Sequence, residues 1–195
     1  MRKKLIIFLL CIFLFITSYI IAIKSNVISE STFQKYTVAF QKYSDGIANK
    51  KLVIIIDYTL PIFKKRLWIL NTKTNEILLN CHVSHAFASG IFHPSELSNE
   101  VSSNKSCAGA FLSKENYIGK YGKSMRVEGL EIGINSNARM RNIVFHPVTQ
   151  FKIKGITIPG CYAYYSLGCF AVSNDNMLKI AEVVSEGSFI YVNYN

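Results

Sequence analysis

The residues that could do chemistry lie in one short stretch near the C-terminus, "YYSLGCFAVSND". Within it, Cys169 directly follows Gly168 and comes three positions after Ser166. A cysteine attacks as the thiolate, so it needs a neighbouring base or electropositive surroundings to ionise near neutral pH. Glycine allows close approach of the backbone, and the amides around Gly168 and Cys169 could donate hydrogen bonds to an oxyanion. The stretch therefore suits a nucleophilic cysteine.

Two other roles for Cys169 stay open from the residues alone. Buried cysteines often act as small, inert hydrophobic side chains. In an oxidising compartment, Cys81, Cys107, Cys161 and Cys169 would also permit disulfides in several connectivities. Cys161 precedes Cys169 closely enough in sequence to be considered as its partner.

The candidate base is His146, because it ends the apolar run "IVFH", and a buried strand would hold its ring still. None of the four histidines belongs to an H-E-x-x-H pattern or to a zinc-binding pattern with cysteines. His82 and His85 would point to opposite faces of a strand, which argues against a joint metal site. No glycine-rich phosphate loop follows a strand. The sequence predicts neither a metal ion nor an organic cofactor.

The N-terminus contains an uncharged run, "LIIFLLCIFLFITSYIIAI", at residues 5–23, directly after Arg2, Lys3 and Lys4. This pattern predicts a signal peptide or signal anchor over residues 1–25, and the length of the run favours an uncleaved anchor over a signal peptide. The terminal position and the basic flank argue against a buried soluble helix. The rest of the chain would then be exported, either periplasmic or otherwise extracytoplasmic. Residues 5–23 could hold the protein at the inner membrane.

The chain is basic, with a formal net charge of +10. Such an excess suggests an acidic partner, although a basic, solvated surface alone would also account for it. A polyanionic wall polymer or anionic lipid suits an exported protein. Nucleic acid does not, and no recognition helix or RNA-binding signature is present.

The hydrophobic pattern predicts the elements that must position these residues. Phe33, Tyr36, Phe40 and Tyr43 recur at helical spacing, which predicts a short helical linker over residues 26–50. Residues 51–195 contain short β-branched and aromatic runs typical of strands, and one helix pattern begins near Asn174. Residues 88–106 are polar and irregular. We expect a mainly β sandwich or barrel with short flanking helices.

Four blocks in this order resemble the murein L,D-transpeptidase catalytic-domain family, in its YkuD-like branch with an S-x-G-C box that lacks the usual His and Arg. The blocks are "IIIDYTLPIFKKRLWILNTKTNEILLNCHVSHAFASG", "LSNEVSSNKSCAGAF", "YIGKYGKSMRVEGLEIGINSNARMRNIVFH" and "YSLGCFAVS". The resemblance implies a catalytic domain over residues 51–195. It implies that Cys169 is the nucleophile, that His146 is its base, and that Ser166, Gly168 and His85 shape the oxyanion and substrate site.

The implied reaction is acyl transfer on peptidoglycan stem peptides. Cys169 would form a thioester with the third residue of one stem and expel the terminal D-alanine. An amine of a neighbouring stem would then give a 3→3 cross-link, or water would make the enzyme an L,D-carboxypeptidase. The chain departs from the family pattern at Ala86, Pro147, Leu167 and Phe170. These departures motivate a further alternative, a non-catalytic murein-binding protein of the same fold.

Overall fold

The computed structural model describes residues 10, 12, 13, 27–148, 152–153, 156–157 and 166–194. Most of the predicted signal or anchor segment lies outside these residues, as does Cys161. Of the helices in the described ranges, none combines the length and apolarity required to cross a bilayer. The export or anchor segment therefore stays a prediction.

The elements with stated bounds among the described residues are ten strands, two α-helices and two short 3-10 helices, Ser44–Gly46 and Phe87–Ser89. The helices are α1, Glu30–Lys42, and α2, Asn174–Val183. The strands are β1, Asn49–Asp57; β2, Leu67–Asn71; β3, Ile77–Cys81; β4, Gly109–Gly119; β5, Gly122–Gly129; β6, Val144–Pro147; β7, Lys152–Ile153; β8, Ile156–Thr157; β9, Phe170–Val172; and β10, Ser188–Asn193.

Eight strands form one mixed sheet in the order β3-β2-β1-β10-β4-β5-β6-β9, and β7 pairs with β8. The β1–β10 and β6–β9 pairs are parallel, and the other pairs of the large sheet are antiparallel. The chain just after β3 also meets β9, because the Ser84 amide donates to the Ala171 carbonyl at 2.9 Å. The two edges of the large sheet thus approach each other, so the sheet is nearly closed into a barrel. The expectation of a mainly β fold with short helices is confirmed.

The part of β1 from Val53 to Ile56 is apolar and is buried on both faces. Val53 and Ile55 face a core shared with α1, whereas Ile54 and Ile56 face a second core inside the curved sheet. The second core also receives Phe145 and Phe170 from the far end of the sheet order. Full burial of each such side chain contributes about 1.5–3 kcal/mol.

Helix α1 packs on the sheet. It begins after Ser29, whose hydroxyl accepts a hydrogen bond from the Thr32 amide at 3.1 Å, a cap that typically contributes about 1 kcal/mol. Its aromatic stripe lies against β10, where the Phe40 and Phe189 ring centroids are 5.5 Å apart. The Thr32 hydroxyl also donates to the buried Asp57 carboxylate at 2.7 Å. The helix is therefore fastened to the sheet by apolar and polar contacts.

Candidate active site

The parallel pairing of β6 and β9 places His146 and Cys169 on one face of the sheet. Phe145 pairs with Phe170 and His146 with Ala171. Paired side chains share a face, and successive side chains alternate between faces. The Phe145 and Phe170 rings, 4.8 Å apart, point into the core. His146 therefore lies on the opposite face. Cys169 directly precedes β9, and alternation extended by one residue assigns it to the same face as His146.

The imidazole of His146 is oriented through one nitrogen. Its Nδ1 lies 2.9 Å from the Pro147 carbonyl oxygen. Because a carbonyl only accepts hydrogen bonds, Nδ1 carries the proton and Nε2 keeps a lone pair. Burial lowers the pKa of His146, although its bond to Pro147 opposes this effect. The ring is consequently neutral at pH 7, the state in which a histidine can accept a proton.

Tyr121 covers one face of the His146 ring. The two rings stack with centroids 4.8 Å apart and an interplanar angle of 25°. Tyr121 lies in the turn between β4 and β5, where Gly119 pairs with Gly122. The sequence "GKYGKS" is therefore a hairpin turn that brings an aromatic ring to the candidate base.

The thiol of Cys169 is free and half-buried. Its Sγ donates to the Asn142 carbonyl oxygen at 3.4 Å. Burial raises the pKa of Cys169, whereas the backbone amide of Val144 and then the charge of Arg141 act to lower it. Burial thus favours a resting pair of neutral thiol and neutral imidazole.

Ser166, Gly168 and Cys169 form a closed turn. The Ser166 hydroxyl accepts from the Gly168 amide at 3.1 Å and donates to the Cys169 carbonyl at 2.7 Å. Gly168 has φ +121°, and a Cβ there would lie 2.7 Å from Ile143 Cδ1 and 2.9 Å from the Lys105 carbonyl oxygen. Both the backbone conformation and the available space therefore require glycine.

His85 lies in irregular chain after β3, because that strand ends at Cys81. Its side chain is fully buried. Arg66 Nη2 donates to Nδ1 at 2.8 Å, so Nε2 carries the proton and donates to the Gly90 carbonyl at 3.0 Å. Burial, and then the charge of Arg66, lower the pKa of His85 to about 4.

His85 reaches the candidate site through its backbone. Its carbonyl oxygen accepts from the Ser166 amide at 3.0 Å, and Ala86 forms an isolated parallel bridge with Ser166. The cluster around His85 thus supports the turn that carries Cys169. The substrate-positioning role that the resemblance implies for His85 stays a prediction.

Several residues at the site carried no signal in the sequence. Ser84 holds β9 in place, because its hydroxyl accepts from the Ala171 amide at 3.0 Å. The Tyr58 hydroxyl donates to the Ser84 carbonyl at 3.2 Å. Arg141 and Asn142 lie beside Cys169, and Asn142 has φ +55°. Of these features, only the positive φ of Asn142 could have been expected from the sequence, because asparagine tolerates a left-handed backbone better than most residues. Within the described ranges, no group of three or more His, Cys, Asp or Glu residues could hold a metal ion.

Comparison of the sequence with known families identifies the class of protein. The sequence model of the L,D-transpeptidase catalytic domain matches residues 24–193. The match covers most of the chain, so the protein belongs to the L,D-transpeptidase catalytic-domain family. A comparison with curated proteins finds no match.

Solved structures of similar fold include three bacterial proteins. The helical cell shape determining protein Pgp2 of Campylobacter jejuni has a TM-score of 0.50 at 14% identity, over 87% of this chain and 57% of that one. An L,D-transpeptidase from Mycobacterium smegmatis has a TM-score of 0.43 at 13% identity, over 74% and 59%. A fused Zn-dependent amidase/peptidase/peptidoglycan-binding protein from Clostridium acetobutylicum has a TM-score of 0.44 at 14% identity, over 87% and 66%. The chain thus spans about three fifths of the length of these proteins, and the likeness concerns the fold alone.

Proposed function

We propose that this protein is a cysteine-dependent acyltransferase that acts on peptidoglycan stem peptides and forms 3→3 cross-links. Cys169 is the nucleophile and His146 is its base. The single observation that carries this proposal is the β6–β9 pairing, which supports a shared face of the sheet for the free thiol of Cys169 and the His146 imidazole with its available Nε2. Membership of the L,D-transpeptidase family supports the substrate class.

Acylation begins with transfer of the Cys169 proton to His146 Nε2. The thiolate then attacks the carbonyl carbon of the third stem residue, and the resulting oxyanion accepts a hydrogen bond from the Cys169 amide. That amide is the better placed donor, because the Gly168 amide already donates to Ser166. As the tetrahedral intermediate collapses, the imidazolium returns the proton to the departing amine of D-alanine. A thioester remains on Cys169.

Deacylation reverses these roles. The amine of a second stem attacks the thioester carbonyl, His146 Nε2 accepts a proton from that amine, and the released Cys169 sulfur recovers a proton. The products are a new amide cross-link and the starting thiol. The excess of basic side chains suits a carboxylate-rich wall polymer. We further propose that the protein acts outside the cytoplasm, on the support of the hydrophobic run at residues 5–23.

A carbapenem tests the nucleophile directly, because opening of its β-lactam ring by a thiolate leaves a stable covalent adduct. Intact-protein mass spectrometry of the full chain should show one adduct, which Cys169→Ala abolishes. Cys107→Ala is the matched control and should keep the adduct, because Cys107 is fully buried and burial raises the pKa of its thiol to about 11. An adduct that persists in Cys169→Ala would refute the proposed nucleophile.

Muropeptide analysis of purified sacculi distinguishes the two possible acceptors. Cross-linked dimers that depend on Cys169 identify a transpeptidase, whereas tripeptide stems without new dimers identify an L,D-carboxypeptidase. A third possible outcome is a murein-binding protein without turnover. Leu167 favours it, because this apolar side chain is 71% exposed within the S-x-G-C box. Sacculus binding that survives Cys169→Ala, together with unchanged muropeptides in both proteins, would establish that outcome.

A further inference from the structure

Arg141 is a half-buried cation whose hydrogen-bond partners are backbone carbonyls. It lies in the segment between β5 and β6, where its Nη1 donates to the Ser98 carbonyl and its Nη2 to the Lys105 carbonyl. Arg139, two positions earlier, is instead exposed and pairs with Glu115 at 2.8 Å. Among the residues that the structure describes, no ion pair involves Arg141. The charge of Arg141 is therefore stabilised by the dipoles of these two carbonyl groups and, within the described residues, is not neutralised by a carboxylate.

The guanidinium lies against the backbone that precedes the nucleophile. A Cβ built on Gly168 would lie 3.4 Å from Arg141 Nη2 and 2.9 Å from the Lys105 carbonyl oxygen that this nitrogen binds. On the other side, the residue after Arg141 contacts the sulfur, since the Asn142 carbonyl accepts from Cys169 Sγ. The side chain of Arg141 thus lies against the residue before Cys169, and its chain neighbour Asn142 binds the Cys169 sulfur.

Within the described residues, the titratable and charged groups around Cys169 are Tyr58, Cys107, Arg141 and His146. Arg141 is the one of these four that carries a charge at pH 7, and it acts in the same direction as the Val144 amide on Cys169 and also lowers the pKa of Cys107. Burial raises the pKa of Tyr58 and of Cys107 and lowers that of His146, so all three are neutral at pH 7. An arginine is charged at any relevant pH. A partly buried charge is also screened less than an exposed one.

We propose that Arg141 is a positioning residue for Cys169: its Nη2 hydrogen bond holds the Lys105 carbonyl against Gly168, and its charge favours the thiolate of the nucleophile. This opposes the burial that otherwise holds Cys169 in the neutral form. The inference rests on the proposed function only in taking Cys169 as the reacting thiol.

The pH dependence of thiol alkylation separates the charge of Arg141 from a purely structural role. Iodoacetamide is added to the folded full chain at pH values from about 6 to 10, a range that spans the usual pKa of a thiol. The alkylated Cys169 peptide is then quantified by mass spectrometry. Arg141→Gln should move the midpoint upward and slow alkylation at pH 7 by roughly tenfold. Arg141→Lys should keep the wild-type midpoint, because it keeps the charge. The matched control, Arg139→Gln, should superimpose on the wild type.

An Arg141→Gln midpoint equal to that of the wild type would overturn the proposal, even if rates fell equally at every pH. If Arg141→Gln does not fold, Arg141→Lys decides: a wild-type midpoint supports the electrostatic role, and an upward shift contradicts it. Alkylation requires neither peptidoglycan nor a carbapenem. A shifted midpoint in a protein that forms no carbapenem adduct would therefore uphold the role of Arg141 and refute the proposed function. A carbapenem adduct together with an unshifted midpoint would support the proposed function and overturn the role of Arg141.

Discussion

His85 and His146 are both kept neutral by burial, yet their surroundings leave different atoms available. At His85, Nδ1 accepts from Arg66 and Nε2 donates to Gly90, and the ring is fully buried. At His146, Nδ1 donates to Pro147, while Nε2 keeps a lone pair and the ring is only half-buried beside Tyr121. The His85 cluster bonds to the turn that carries Cys169, whereas His146 lies on the strand that pairs with β9, directly after this turn.

This difference shows how one residue type can serve structure in one region and chemistry in another. A histidine with both nitrogens bonded inside the protein contributes to stability, because any change of its protonation breaks a buried bond. A histidine with one nitrogen bonded is oriented by that bond and can still exchange a proton through the other. A pKa lowered by burial is common to both, so it does not by itself identify the base.

The largest expected effect is on acyl transfer in His146→Gln. This variant removes the proton acceptor, so the rate of carbapenem adduct formation should fall about 10²–10⁴-fold. The free energy of unfolding in urea should change by less than about 1 kcal/mol, because the ring is half-buried and makes one hydrogen bond. A variant with near-normal adduct formation would remove the distinction drawn between the two histidines.

The turn between the two clusters should be the next most sensitive position. Gly168→Ala forces a Cβ onto Ile143 and the Lys105 carbonyl at a positive φ, and should lower the free energy of unfolding by about 2–4 kcal/mol. Gly133→Ala is the matched control, because Gly133 has φ +77° and nothing lies within 4 Å of an added Cβ. It should cost about 1 kcal/mol. Equal costs in urea unfolding would mean that the space around Gly168 is not constraining.

The His85 cluster should make stability depend on pH. The pKa of His85 falls from 6.5 when unfolded to about 4 when folded, so its contribution is complete above pH 6.5 and is lost as the pH falls toward 4. Allowing for solvent screening, the free energy of unfolding should decrease by about 1–2 kcal/mol between pH 7 and pH 5 through this residue.

Urea unfolding of His85→Gln at both pH values isolates that contribution. At pH 7 the variant should have a lower free energy of unfolding than the wild type. Between pH 7 and pH 5 its free energy of unfolding should decrease by about 1–2 kcal/mol less than that of the wild type. Other histidines titrate alike in both proteins, so the difference between the two slopes belongs to His85. Parallel slopes would show that His85 is not protonated on unfolding in this range.

The smallest expected effect concerns Tyr121, whose ring stacks on that of His146. Tyr121→Ala removes the stacked ring, a contact that typically contributes about 0.5–1.5 kcal/mol, and should slow adduct formation by roughly threefold to tenfold. Tyr121→Phe keeps the ring and should retain most of the rate. A Phe variant as slow as the Ala variant would assign the effect to the hydroxyl group and not to stacking.

Much of the fold follows from short-range pattern. The apolar run at residues 52–57 lies within β1. Three of the four aromatic residues at helical spacing, Phe33, Tyr36 and Phe40, lie within α1, and Tyr43 directly follows its last residue. Strand β9 was not predicted, because the three residues of Phe170–Val172 are too few to show a period. The strand expected to carry His82 and His85 ends before both of them, at Cys81, since its partner β2 begins at Leu67, which pairs with Cys81. The chain beyond that point bonds to β9.

The sequence by itself determined the local chemistry. Ser166, Gly168 and Cys169 are close neighbours along the chain, so their turn depends on local backbone geometry and on the absence of a side chain at Gly168. His146 could be proposed from its place at the end of an apolar run. Only the tertiary structure decided that β6 and β9 pair in parallel, that Tyr121 stacks on His146, and that Arg141 lies against Gly168. Those contacts join residues far apart in sequence, and their register depends on the packing of the whole sheet around one core, which no short window of residues contains.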